Sequence, residues 1–556
     1  MKSSTQKVGS HTSVRLLAFT SILILLTALD GYSQCGCDFT INPGTGFTYF
    51  NGTASGVQPG DVICVMAGSK GGLQFTNVIG SASNPVIIKN CGGQALIGGP
   101  TANNAMLFIG SRYIRITGTG DAGFNYGLKI VGSSPGTQGI AVAGLSSNFE
   151  IDHMEIQNIG YTGIMIKSDP SSNCANTDAV RPNFTLYDVK IHDNYVHDTG
   201  GEGIYLGDSF YNGTTVFCGS TQYCHEVRGA RIYNNRFENT GREAIQVGSG
   251  VDDIEVYDNQ VFNYGQANLP AQNGGIQFGV GTSGRMYNNF IKAGKGPAIA
   301  IQGIGNDYVY NNVVVNPGEQ AITINTRPTP LTTDIVSQGW LGGVYIINNT
   351  FINVGSKGVV EEFINNAPGN VLFNNLIVAS SAPWDKTYTY TDWQKGNNVF
   401  IPVLADAKFT NPSLDDYSLL PGSPAINSGR DVATFGVTFD FNGTTRPAGA
   451  SWDVGAFELA GNQKPNVSVG ANQNITLPTN STTITGSATD PDGTIASYLW
   501  TKQSGPAVTI TNQNTTTVNL ANLLEGVYVF RLTATDNGGE TGFKDVTITV
   551  VDPSVN

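Results

Sequence analysis

The chain has 556 residues, of which only 13% are charged and 70 are glycine, and its formal net charge is −13. No stretch keeps a 3.6-residue apolar period over helical length, so an all-β protein is expected. The acidic balance argues against a nucleic-acid partner, and it makes an anionic glycan a partner only where cations or a local basic cluster help.

In chain order, Lys2, Lys7 and Arg15 precede the apolar run Leu16 to Leu29, and Gly31 and Ser33 are small residues ahead of Gln34. This pattern predicts an export signal over residues 1–33. The run is too short to span a bilayer comfortably, and no second one follows, so no membrane insertion is expected. The mature protein is expected to be secreted or held at the cell surface. Seven cysteines (Cys35, Cys37, Cys64, Cys91, Cys174, Cys218, Cys224) contain no C-x-x-C pair, which points to disulfides rather than zinc, with at least one cysteine left over.

Internal repeats follow. The segments beginning at Val189, Ala230, Ile254, Gly284, Asp307, Val344 and Val371 each carry a short β-branched strand, an Asn-containing turn, a second strand and a Gly turn, and most continue into a third strand. Their aligned turn residues are Asn194, Asn235, Asn259, Asn289, Asn312, Asn349 and Asn375, with shorter spacings of 24, 30, 23 and 26 residues. Three short strands per repeat of this length predict the coils of a right-handed parallel β-helix. One coil cannot bury its apolar face alone, whereas stacked coils can. The Asn column is expected to be structural, each turn tolerating the left-handed conformation and bonding to the next coil.

The opening VQPGDVICVMAGSKGGLQF and NPVIIKNCGG resemble the first turns of secreted pectate-lyase-like β-helix proteins, a likeness extending over about Val57 to Glu458. The segment LLPGSPAINSG with DFNGTTRPAGASWDVGAFE resembles the closing part of such domains and is read as a cap over the open end, giving a β-helix domain over 34–460. A linker spans 461–465, and residues 466–556 resemble a polycystic-kidney-disease (PKD) Ig-like module through DPDG, the Trp500 strand, SGP and the strand Tyr528 to Asp536. That resemblance implies a small β-sandwich packed on Trp500, with Asp490, Asp492 and Asp536 as Ca²⁺ ligands or plain turn residues.

In the β-helix resemblance, substrate lies along one outer strand face flanked by turn insertions. The third strands align as TGIMIKS, EGIYLGD, EAIQVGS, GGIQFGV and PAIAIQG, which puts Met165, Tyr205, Gln246, Gln277 and Ala300 in one column. Two insertions follow them, about 168–183 and 208–227, and a bridge from Cys174 to Cys218 or Cys224, or between Cys218 and Cys224, would tie them. Glu202 and Glu243 hold equivalent places on consecutive coils, about 4.8 Å apart by strand spacing. They could be an acid and nucleophile pair, Ca²⁺ ligands with Asp208, or solvated turn residues with Arg242 as partner. A lyase on a uronic-acid glycan must neutralise a carboxylate and remove the neighbouring C5 proton. Arg242 or Ca²⁺ suits the first task, and Lys167 or Tyr205 with a lowered pKa suits the second. Gln246, Gln277, Gln302 and His225 are candidate substrate contacts; for the glutamines on this face the alternative is a solvated surface. The expectation is a monomeric polysaccharide lyase, with a glycoside hydrolase or a non-catalytic glycan binder as alternatives. Ca²⁺ is the only cofactor the residues suggest.

Overall fold

The computed structural model describes residues 35–554 except 100–103, 133–135, 304, 326–341, 356–359, 365–368, 381–385, 388–392, 460, 463 and 491–493. The predicted export signal and Asp492 therefore lie outside the described residues. The chain divides into two compact units, Met1–Leu459 and Ala460–Asn556.

The first unit is a parallel β-helix. Each full coil contributes two strands to a 23-stranded parallel sheet and one strand to a 12-stranded parallel sheet. Register repeats coil to coil: Ile151, Ile191, Ile232, Val256, Met286, Val309, Ile346 and Leu372 form one inward column. All are at most 2% exposed, so the core is a continuous stack that no single repeat could bury.

The Asn column forms a hydrogen-bonded ladder. From Asn194 to Asn375 each Nδ2 donates to the Oδ1 of the next rung at 2.9–3.0 Å, and Asn398 adds an eighth rung. The rungs themselves are not the left-handed residues. The residue before each rung, such as Asn234 (φ 53°) or Asp258 (φ 53°), takes that conformation. The left-handed residue turns the chain, and the following Asn then points inward to bond between coils.

These left-handed residues also hold the C-terminal segment. Asn311, Asn348 and Asn374 donate to the backbone oxygens of Phe439, Asp453 and Arg430 at 2.7–2.9 Å. Phe409, Tyr417, Val454 and Phe457 pack on outward residues such as Val313, Ile352 and Leu376. The segment thus lies along the flank of the last coils, a correction to its expected place over the open end. A fully buried pair, Arg446 with Glu458 at 2.6 Å, fixes its fold.

Three disulfides form, Cys35–Cys91, Cys37–Cys64 and Cys174–Cys218, leaving Cys224 free and buried. The second unit is a sandwich of two four-stranded sheets with Trp500 in its core, 1% exposed. Tyr528 Oη accepts from Leu524 N and donates to Leu524 O, closing one corner.

Candidate active site

The 12-stranded sheet carries the predicted face. Strands Ile164–Ile166, Ile204–Leu206, Ile245–Val247, Ile276–Phe278 and Ile299–Ile301 stack in register, so Met165, Tyr205, Gln246, Gln277 and Ala300 do share a column. The column is 4–9% exposed, so it is a buried strip, hereafter the recess, rather than the solvated strip that was the alternative for its glutamines. Small residues begin these strands because the coils close tightly there. A Cβ on Gly203 would sit 2.5 Å from Ala244 O.

Glu202 and Glu243 lie two residues before consecutive strands, and Gly203 N donates to Glu243 O at 2.9 Å. They are 2% and 1% exposed, so neither is a solvated turn residue. Their surroundings differ sharply. Glu202 accepts from Thr162 Oγ1 at 2.8 Å and from Arg242 Nη1 at 3.3 Å. Arg242 also donates to the Tyr161 hydroxyl at 3.4 Å and covers that ring at 5.2 Å. Gly201 lies between Tyr161 and Arg242 in the same backbone ladder, and its missing side chain leaves room for the Tyr161 ring, whose Cδ2 a Cβ there would approach to 2.7 Å. Neither oxygen of Glu243 bonds to another described residue. Burial pushes its carboxyl up to about 8, with the Glu202 charge adding to the rise. Two carboxyl groups on adjacent coils therefore differ: Glu202 is ion-paired, and Glu243 favours its proton.

The other end of the strands holds Lys167, Tyr205, Asp208 and the insertions. Lys167 Nζ lies 2.9 Å from Asp169, 3.6 Å from Asp208 and 5.1 Å from the Tyr205 ring. Burial pulls the ammonium down, but Tyr205, Asp208 and Asp169 outweigh it and hold it above its ordinary value. Burial pushes Tyr205 up to about 12 against the pull of Lys167. The lowered pKa that a proton-abstracting Lys167 or Tyr205 needs is therefore absent from both. Ser209 joins the Tyr205 hydroxyl (3.0 Å) to Gln246 Nε2 (2.7 Å), a link that strand alignment missed because Ser209 belongs to the insertion. Gln302 Nε2 reaches Gln277 Oε1 at 3.5 Å, so these two amides do meet in the recess.

Two further expectations are corrected. His225 is fully buried: Nε2 accepts from Ser168 N at 3.1 Å, and Nδ1 donates to Glu226 O at 3.0 Å. Burial lowers its pKa, and with both nitrogens engaged it braces the two insertions instead of contacting substrate. Asp208 sits at the opposite strand end from Glu202 and Glu243, and the three bring no common set of ligand atoms together. Among the described residues the groups with that geometry are Cys35, Cys37 and Cys91, already in disulfides, and Glu150, Asp152 and His192. Asp152 in that second group is taken by Arg115 (2.8 Å), Thr117 and His153. In the module, Asp536 Oδ1 accepts from Asn462 Nδ2, Gly538 N and Glu540 N, the pattern of a turn residue.

Fold and recess together define a parallel β-helix that carries an asymmetric carboxylate pair, followed by a separate Ig-like module. Residues 469–550 match the family model that describes the PKD domain of KIAA0319-like proteins. The chain is 35% identical over 127 residues to mouse dyslexia-associated protein KIAA0319-like protein, covering 22% of this chain and 12% of that one. It is 34% identical over 99 residues to human dyslexia-associated protein KIAA0319, covering 17% and 9%. The chain thus spans about a tenth of the length of these curated relatives. Among solved structures, the β-helix is similar to an alginate lyase from Paenibacillus (16% identity, 65% of this chain and 98% of that one, TM-score 0.34). It is also similar to the A-module of the Azotobacter vinelandii mannuronan C-5 epimerase AlgE6 (14%, 63% and 92%, TM-score 0.26).

Proposed function

We propose that this protein is an extracellular polysaccharide hydrolase working in the recess of the 12-stranded sheet, with Glu243 as proton donor and Glu202 as its anionic partner. The observation that carries this reading is the contrast between the two carboxyl groups: Glu202 is tied to Arg242 and Thr162, while Glu243 is buried with no hydrogen-bond partner among the described residues and raised to about 8. The backbones of the two residues are one strand spacing apart, about 4.8 Å, which allows the roughly 5–5.5 Å separation between carboxyl groups of retaining glycosidases. In that scheme the Glu243 proton passes to the glycosidic oxygen as the bond to C1 breaks, and Glu202 bonds to C1. Water then displaces Glu202 while Glu243 takes back the proton. Elimination from a uronate is disfavoured because Lys167 and Tyr205 both hold their protons more firmly than usual. Three disulfides suit an oxidising, extracellular setting. Neither Glu243 oxygen meets solvent, so productive binding requires the recess to open.

The test is a panel of neutral and uronate polysaccharides, read for new reducing ends and for the ultraviolet absorbance of an unsaturated uronate. Reducing ends without that absorbance are expected, with a loss of about 10²–10⁴-fold in Glu243→Gln. Absorbing products would mean elimination, and retardation in a glycan gel without products would mean a binder.

A further inference from the structure

A second pocket lies away from the recess, where the C-terminal segment folds back on the coils. It is a cleft of about 340 Å³ that includes Phe262 and Phe290 from neighbouring coils and Phe441 from the returning segment. The first two rings lie 5.7 Å apart, and all three are only partly buried: Phe290 and Phe441 pack one side against the core of the returning segment, which leaves part of each ring at the cleft. Around them stand Asp258, Gln260, Asn288 and Asp415. Asn288 Oδ1 is buried with no hydrogen-bond partner among the described residues. The nearby cations are already satisfied: Lys292 holds both Asp415 oxygens at 2.7 Å, and Arg236 pairs with Glu238 at 3.2 Å while lying over Phe262 at 4.5 Å.

We propose that this cleft binds one neutral pyranose ring of a glycan, as a site separate from the recess. Its volume is at the small end of ligand sites and suits a single ring rather than a chain. A pyranose presents a C–H face to aromatic rings and a rim of hydroxyl donors to carboxylate and amide oxygens, and the cleft offers both. Asp258, which has no ion pair among the described residues, and the already paired Asp415 leave no free cation for a sugar carboxylate, so neutral sugars are preferred over uronates.

Saturation-transfer NMR and calorimetry on the full chain test this with methyl glucopyranoside, methyl galactopyranoside, N-acetylglucosamine, glucuronate and galacturonate. At least one neutral sugar is expected to bind, about tenfold or more weaker in Phe262→Ala and in Gln260→Ala. Gln260 is exposed, so its variant decides the matter if Phe262→Ala does not fold. The cleft variants should keep the parent's activity on polysaccharide, which keeps the result independent of the recess. Absence of neutral-sugar binding, binding unchanged in both cleft variants, or equal binding of uronates would each overturn the proposal.

Discussion

Glu243 and Asp307 are carboxyl groups withdrawn from water with no ion-pair partner among the described residues, and they face different surroundings. Glu243 is at the recess beside Glu202 and Gly274, whereas Asp307 occupies the inward column with Ala230, Ile254, Gly284 and Val344. Burial holds Asp307 well above the carboxylate range, and the same cause raises Glu243 to about 8. A carboxyl raised in the folded state keeps a proton that the unfolded chain releases near pH 4, so stability falls as pH rises between the two pKa values, by about 1.4 kcal/mol per pH unit per group. Asp307→Asn keeps the shape and cannot ionise. Its stability advantage over the parent should therefore be absent near pH 3 and widen steadily above pH 4, in urea melts at a series of pH values. A constant difference would show that Asp307 is not the titrating group. For Glu243 the consequence is catalytic: kcat/KM, which reports the free protein, should decline as pH passes through about 8, because the donor proton is lost. A rate still rising at that pH would remove Glu243 from the donor role.

Among the elements, the Asn ladder is the most regular, and Asn259 shows what one rung does. Its amide donates to Ile232 O, Tyr257 O and Asn289 Oδ1, and its oxygen accepts from Asn235 N and Nδ2. Asn259→Ala strands several buried groups at once, so a loss of at least about 2 kcal/mol is expected, with a lower urea midpoint and an unchanged slope. A loss below about 0.5 kcal/mol would mean that water replaces the rung at little cost. This ladder and the strand register could be read from the residues because each repeats on coil after coil, and repetition separates a structural signal from chance. Glu202 and Glu243 were legible for the same reason. What depended on non-repeating chain was not legible: Asp169 and Ser209, which set the environment of Lys167, Tyr205 and Gln246, lie in insertions with no counterpart on other coils. The burial of His225 and the flank position of the C-terminal segment escaped likewise, since both are fixed by contacts far apart in sequence.

For the whole molecule, the two compact units imply two separately built cores. The β-helix core runs through the coils, while the module core gathers Ile484, Trp500, Val518, Leu520, Tyr528, Phe530, Leu532, Val546 and Ile548 around one ring. A domain of this size is stable by only about 5–15 kcal/mol, and removing a buried Trp costs about 3–5 kcal/mol. Residues 461–556 alone should therefore fold and unfold in one cooperative urea transition. Trp500 is the single tryptophan of that segment, so its fluorescence reports its own burial. Trp500→Ala, followed by circular dichroism, should lower the midpoint by the amount that a loss of about 3–5 kcal/mol implies, leaving a marginal or unfolded module, while the same change in the full chain leaves activity at the recess intact. A gradual, non-cooperative transition in the isolated segment would show that its core is not self-sufficient. Loss of recess activity in the full-length variant would show that the β-helix depends on the module.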